Sequence, residues 1–351
     1  MTALHTPICD LFGIRHPIVQ TGMGWVSDAG LTAATARAGG LGILASATLS
    51  FDELVAAIAE IRRRTPAPFG VNLRADAPDA ARRVDLLIQE QVKVASFALA
   101  PKPDLVQRLK NSGVVVVPSV GARRHAEKVA AWGVDAVVVQ GGEGGGHTGP
   151  VPTSLLLPQV VDAVDIPVIA AGGYYDGRGL VAALAYGAAG IAMGTRFLLT
   201  SDSPVGQAVK QRYLDAGVTD TVVTAALDGV PQRVLRTPFV ERLEAGGGIT
   251  RLLRAARNAA AFRKLSGRSW VGLVREGRAM RGSHELPLSR LVLAANTPML
   301  LRAAMVEDRP ELGVMASGQV AGLIDDLPSC AELIDRVIRE AEAALGRLAL
   351  R

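Results

Sequence analysis

Short apolar runs alternate with longer amphipathic stretches through the first two-thirds of the chain. Candidate strands fall at 18–21, 41–45, 69–73, 92–99, 114–120, 135–140, 167–171 and 190–194. Most are near-continuously apolar, the pattern expected of parallel strands covered on both faces. Helical stretches lie between them at 27–38, 52–64, 78–90, 104–111, 122–132, 153–164 and 177–186. Asp52 and Thr153 read as N-caps, and Gly113 and Gly133 as helix stops. Eight strand–helix units within about 210 residues predict an α/β fold of the (β/α)8 TIM-barrel type. An open doubly wound sheet shares this pattern, but no convincing G-x-G-x-x-G turn follows the first strand.

After residue 200 the strand signals fade and helical, Arg-rich sequence takes over. This predicts a barrel over residues 1–200, a helical lid or substrate domain over 201–315, and a C-terminal helix in 316–351 that returns to the barrel. Gly246-Gly247-Gly248 interrupts the lid once, and the final amphipathic stretch runs over 331–345.

Composition narrows the function classes. About half the 351 residues are apolar (49%) and a fifth charged (20%), so a large core is expected without a membrane segment. No apolar run approaches the roughly 20 residues of a spanning helix, and the N-terminal residues lack the pattern of a signal peptide. Cys9 and Cys330 are distant and in no metal or redox spacing, which points to a reducing, cytoplasmic setting and no metal site. The net charge of +5 is uneven: residues 231–290 hold 13 Arg or Lys against 4 Asp or Glu. A local basic segment suggests an anionic ligand there, whereas no motif supports nucleic-acid binding. A homo-oligomer is left open.

The chemistry concentrates after the sixth strand, in Gln140-Gly141-Gly142-Glu143-Gly144-Gly145-Gly146-His147-Thr148-Gly149. A titratable imidazole on a glycine-dense loop just beyond a buried strand is placed for chemistry rather than packing. The seventh strand ends in Ala170-Ala171-Gly172-Gly173 and the eighth in Met193-Gly194-Thr195-Arg196. Glycine N–H groups, a Thr hydroxyl and a cation can cradle a phosphate there, where such barrels often bind one; the alternative is that these glycines only permit tight strand exits. Asn72 and Gln140, at other strand ends, suit the edge of a heteroaromatic ring or else satisfy a backbone group. Gly22 and Met23 can bring main-chain N–H groups against a flat ring.

With these residues in place, the chain resembles the nitronate monooxygenase family and the flavin-dependent enoyl-acyl-carrier-protein reductases of the same superfamily. The segments that carry the likeness are Pro17-Ile18-Val19-Gln20, the run from Gln140 to Gly149, residues 167–173 and 190–197, and Ser317-Gly318-Gln319-Val320-Ala321-Gly322-Leu323-Ile324. The resemblance implies an FMN-binding TIM barrel with a helical lid. It places FMN against Gly22, Met23, Asn72, Gln140 and Gly145, with its phosphate on Gly172, Gly173, Gly194 and Thr195 beside Met193. It makes His147 the active-site base. The N-terminal half, in Thr6-Pro7-Ile8-Cys9-Asp10, Gly22-Met23-Gly24-Trp25 and residues 39–48, resembles a mycobacterial branch of flavin-dependent hydroxyacyl-CoA dehydrogenases of steroid-ring degradation. Tyr174-Tyr175, Thr21-Gly22-Met23 and Ala192 depart from the nitronate monooxygenase pattern and imply a reshaped pocket.

The leading expectation is therefore hydride removal from a hydroxyacyl-CoA, with His147 taking the hydroxyl proton and NAD(H) as electron partner. Arg251 and Arg254, at helical spacing, are the candidate CoA contacts, and Tyr174 and Tyr175 can donate to a substrate carbonyl or pack under the lid. Nitronate oxygenation, enoyl-thioester reduction and non-catalytic flavin binding are the alternatives. Glu143 can orient His147, meet the flavin or face water. Trp25 can roof the flavin or pack, and His284 can reach substrate. His5, His16 and His125 read as surface or structural.

Overall fold

The computed structural model describes residues 4–245 and 297–349. Eight parallel strands close into a barrel: β1 (Ile18–Gln20), β2 (Leu41–Ala45), β3 (Gly70–Leu73), β4 (Val94–Phe97), β5 (Val115–Val120), β6 (Val137–Gln140), β8 (Val168–Ala171) and β9 (Gly190–Met193). The two-residue β7 (Gly146–His147) lies outside it. Pairing of Ile18 with Ile191 and Gln20 with Met193 closes the ring. All eight strands expected from the apolar runs are present, most of them shorter by one to four residues.

Val19, Ile43, Val94, Val117, Val138 and Ile169 fill the barrel interior. Their strand neighbours, such as Ile18, Leu44, Val71, Ala95, Val116 and Val139, face the surrounding helices. This two-sided burial is why the strands read as continuous apolar runs rather than alternating ones. The short helix α1 (Pro7–Phe12) plugs the N-terminal end with Ile8 and Phe12, both fully buried. The opposite rim, formed by the strand C-termini, stays free for chemistry.

The barrel helices are α2 (Ala29–Arg37), α3 (Phe51–Arg64), α4 (Ala80–Gln89), α5 (Pro103–Asn111), α6 (Arg123–Ala131), α7 (Thr153–Val161) and α8 (Gly177–Ala185). Two expected caps shift. Ser50, not Asp52, caps α3, in a capping box with Glu53. Thr153 is the first residue of α7, after Pro152. Gly113 and Gly133 do stop α5 and α6, at φ +77° and +80°.

After β9 the chain makes a four-residue helix, α9 (Thr195–Leu198), then α10 (Gln207–Leu214). The expectation of purely helical sequence beyond residue 200 is corrected next: β10 (Thr221–Thr224) and β11 (Gln232–Leu235) form an antiparallel hairpin, and β7 pairs with β11. Four-residue strands are too short to show a clear period of two, and their stability comes from this non-local partner. Helix α11 (Pro238–Ala245) follows, and α12 (Thr297–Met305) resumes the described chain. The basic stretch with Arg251, Arg254, Arg257, Arg263, Lys264 and His284, and the Gly246–Gly248 break, lie outside the described residues.

The last helix, α13 (Cys330–Ala349), packs against α8 and α2 and takes the wall position that a helix after β9 would otherwise fill. Its approach to α8 is close. The Gly177 N–H donates to Glu340 Oε2 at 2.9 Å, and a β-carbon on Gly177 would lie 2.3 Å from the Val337 carbonyl and the Ala341 nitrogen. Gly177→Ala is expected to destabilise the protein by about 1–3 kcal/mol through overpacking. Gly346→Ala, within α13 where a β-carbon meets nothing within 4 Å, should instead stabilise it, by about 0.5–1 kcal/mol. Denaturant unfolding of both variants checks the pair.

Candidate active site

The glycine-rich run leaves β6 at the open rim, turns, and returns as β7. Antiparallel pairing sets Gln232 opposite His147 and Arg233 opposite Gly146. The Thr148 N–H donates to the Pro231 carbonyl, and the Arg233 guanidinium donates to the Gly142 carbonyl through Nε and Nη2 at 3.1 and 2.9 Å. Gln140 closes the turn from inside: its Nε2 donates to the His147 carbonyl at 2.9 Å and lies 3.4 Å from the Gly145 carbonyl. The amide nitrogen proposed for a ring edge thus serves the loop's own backbone.

His147 projects from this loop with 59% of its side chain exposed. Its Nε2 lies 2.8 Å from Oδ2 of Asp228, whose side chain is only 12% exposed. Asp228 belongs to the β10–β11 turn, where its Oδ1 accepts the Val230 N–H at 3.0 Å. Burial opposes ionisation of this carboxyl, but the hydrogen bonds from His147 and Val230 outweigh it and hold the group below the ordinary carboxylate range. Sequence reasoning missed Asp228. The available signal was Asp228-Gly229, a turn dipeptide between two β-branched runs.

Glu143 does not orient His147. Its carboxylate accepts the Thr153 N–H and hydroxyl at 2.9 and 2.8 Å, so it caps α7 and anchors the base of the loop.

The strand ends around this loop carry the other expected cofactor residues. Gly22 rests on Asn72, and a β-carbon at Gly22 would lie 2.5 Å from the Asn72 β-carbon. Asn72 Nδ2 donates to Ser96 Oγ at 3.2 Å. The Met23 N–H donates to Ser27 Oγ at 2.9 Å, so that group is already engaged, while the Met23 sulfur lies toward Gly194. Gly172 and Gly173 both have positive φ, +89° and +90°, a conformation that favours glycine and turns successive peptide groups at the end of β8. Thr195 Oγ1 accepts the Gly318 N–H at 2.9 Å. The Ser317–Gly318 segment seats directly on Gly145, where a β-carbon would come within 2.6 Å of the Gly318 nitrogen.

Some expected contacts are spent elsewhere. Met193 is 1% exposed, with its side chain in the core between barrel and helices and its carbonyl accepting the Thr21 N–H. Arg196 is 3% exposed. Its Nη1 donates to Asp326 Oδ1 at 2.9 Å, and its Nη2 to the Leu199 and Asp326 carbonyls. Tyr174 is buried in the core, and burial, with Glu143 nearby, pushes its phenol well above the usual range. Tyr175 accepts a hydrogen bond from exposed Arg178 at 2.9 Å. Trp25 takes a left-handed backbone (φ +65°), with the Arg302 guanidinium 5.8 Å from its ring centre. Arg251 and Arg254 lie outside the described residues. Among the described residues no cluster of His, Cys, Asp or Glu can hold a metal, and no helix is long and apolar enough to cross a membrane.

The residues present are compatible with a flat ring and a phosphate tail. Gly22 approaches Asn72 too closely for a β-carbon, and Gly172, Gly173 and Gly194 lie at the two strand ends where such barrels take phosphate.

The sequence profile of the nitronate monooxygenase family matches residues 5–83 and 79–340. The chain is 62% identical over 341 residues to the (3aS,4S,5R,7aS)-5-hydroxy-7a-methyl-1-oxo-octahydro-1H-indene-4-carboxyl-CoA dehydrogenase of Mycobacterium tuberculosis, covering 96% of both chains. It is 59% identical to the enzyme of the same name from Rhodococcus jostii, covering 97% of both. Among solved structures, FabK from Thermotoga maritima superposes with a TM-score of 0.80 at 35% identity, covering 98% of both chains. The chain therefore belongs to the nitronate monooxygenase family and is a flavin-dependent oxidoreductase.

Proposed function

We propose that this chain is an FMN-dependent dehydrogenase of a hydroxyacyl-CoA with a fused-ring acyl group, acting in steroid-ring breakdown with NAD+ as the final electron acceptor. The observation that carries this reading is an exposed His147, on the loop that leaves the sixth barrel strand, in a chain 62% identical over nearly its whole length to a hydroxylated carboxyl-CoA dehydrogenase. The net reaction converts a secondary alcohol and NAD+ to a ketone, NADH and a proton. Bound FMN supplies the two-electron acceptor for the hydride that leaves the carbinol carbon.

The chain's residues do the rest. Gly22 and Asn72 would seat the ring, with Gly145 and the remaining oxygen of Gln140 at its edge. Peptide N–H groups at Gly172, Gly173 and Gly194 and the Thr195 hydroxyl would hold the phosphate. His147 takes the hydroxyl proton as the carbon–hydrogen bond breaks, the general-base role that a positioned imidazole commonly fills. The excess of basic residues in 231–290, 13 Arg or Lys against 4 Asp or Glu, would supply positive charge for the phosphates of CoA, and Arg251 and Arg254 are the proposed contacts. Nitronate oxygenation would leave that basic segment without a role.

The purified protein should carry or take up FMN, shown by its visible bands. Anaerobic addition of the relatives' hydroxy-indene carboxyl-CoA substrate should bleach those bands, and NAD+ should restore them. A chain that cannot be reconstituted with FMN overturns the reading. Oxygen uptake with propionate 3-nitronate, without bleaching by the acyl-CoA, replaces it with nitronate oxygenation. His147→Ala should keep FMN affinity and lose about 100-fold or more in kcat, the scale of general acid–base catalysis. Arg251→Ala and Arg254→Ala should each raise KM for the CoA substrate about 10-fold or more, as expected for a charge-assisted hydrogen bond of roughly 1.5–3 kcal/mol. An unchanged KM removes those side chains from the CoA site.

A further inference from the structure

We infer that Asp228 is the positioning residue of the site: it accepts a hydrogen bond from His147 Nε2–H and thereby makes Nδ1 the atom that takes the substrate's proton. The inference rests on the proposed role of His147 as a base and assigns both the nitrogen that does the chemistry and the group that selects it.

The geometry has three parts. First, the contact is direct, 2.8 Å from His147 Nε2 to Asp228 Oδ2. An ionised carboxylate has no proton to give, so the hydrogen in this bond must sit on Nε2. A neutral imidazole carries one N–H, and Nδ1 is left with the free lone pair. Second, Asp228 is held independently of the imidazole. Its other oxygen accepts the Val230 N–H, the Gly229 N–H closes onto the Ala225 carbonyl, and Gly229 turns at φ +86°. Third, the two residues sit on one small sheet. The register fixes His147 opposite Gln232, four residues beyond Asp228, while Arg233 ties the same strand to the Gly142 carbonyl. The imidazole is thus fixed by its backbone and by one ring nitrogen.

Other charged groups nearby are committed. Glu143, on the same loop, is spent on Thr153, and Arg233 is spent on Gly142 and Thr221. Neither is hydrogen-bonded to the imidazole. The asymmetry in exposure suits the role: the carboxylate is mostly buried and the imidazole mostly open. A carboxylate that fixes the tautomer and orientation of a histidine base contributes through that base rather than by touching substrate.

The test uses the full chain reconstituted with FMN. Nitrogen-15 NMR of histidine-labelled protein, with His147→Gln for assignment, reads the tautomer without any substrate. Wild type should show the Nε2–H form at neutral pH, and Asp228→Ala should lose that bias. In turnover, Asp228→Ala and Asp228→Asn should lower kcat roughly 10- to 1,000-fold, within the range of acid–base contributions. KM and FMN affinity should stay within about twofold. Added formate should recover part of the kcat of Asp228→Ala and none of that of His147→Ala. An Nδ1–H tautomer in wild type overturns the inference whatever the substrate proves to be. So does an unchanged kcat in Asp228→Ala, or a kcat loss that comes with lost FMN affinity and no formate rescue. Failure of the acyl-CoA to bleach the flavin, with the Nε2–H tautomer present, counts against the proposed substrate and supports the dyad.

Discussion

The pairing of Gly146 and His147 with Gln232 and Arg233 is the contact on which the site depends. A two-residue strand has no stability of its own. It persists because β11 is held on both sides. β10 pairs with it through four residue pairs, Val234 bridges to Ala316, and the Leu235 and Ser317 N–H groups bond across the same junction. The barrel loop, the hairpin and the segment before the last helix therefore lock together in one small sheet. Ser317–Gly318 then lies on Gly145 and Thr195, which joins the sheet back to the end of β9. The position of His147 depends on residues more than 80 and 160 positions away in sequence.

That dependence explains what could be read from the sequence. The barrel was legible because a parallel strand buried on both faces must be apolar at nearly every position, as in Val115–Val120 and Val137–Gln140. His147 stood out in the sequence as the one imidazole in its most glycine-dense stretch, and the structure shows that Gly141, Gly144 and Gly145 there are sites of close approach to Thr153, Gln140 and Ser317–Gly318. The hairpin was not, because Val222 and Val223 are half-buried or exposed and Arg233 interrupts the apolar run. The Asp228-Gly229 dipeptide could mark a turn, but not its partner: the role of Asp228 comes from a contact 81 residues away in sequence.

Nearness in sequence also misled. Glu143 stands four residues from His147, yet the turn between them carries its carboxylate to the N-terminus of α7, where two donors of Thr153 wait. Tyr174 follows the glycine pair at the end of β8, and the left-handed turn at Gly172 and Gly173 is followed by its descent into the core. Arg196 sits beside the proposed phosphate loop, but Asp326, 130 positions on, takes its guanidinium inward. In each case the residue type was read correctly as polar or aromatic, and a distant partner decided where it pointed.

The polar groups at the rim therefore divide by what they already hold. Gln140 Nε2, the Met23 N–H, Glu143 and the two terminal nitrogens of Arg196 are each engaged by protein atoms. A group with its bonds made keeps its place and offers little to a ligand, since breaking a buried hydrogen bond costs about 1–3 kcal/mol before any new one forms. These groups hold the shape of the rim. His147 differs: one ring nitrogen is bonded, the other side of the ring is open, and most of its surface faces outward. Under the proposed function, this division gives recognition of a flat, anionic cofactor to peptide groups and proton transfer to one side chain. It also explains why the loop tolerates no β-carbon at Gly145: the space there belongs to the Ser317–Gly318 backbone, and moving that backbone would move the sheet that positions the imidazole.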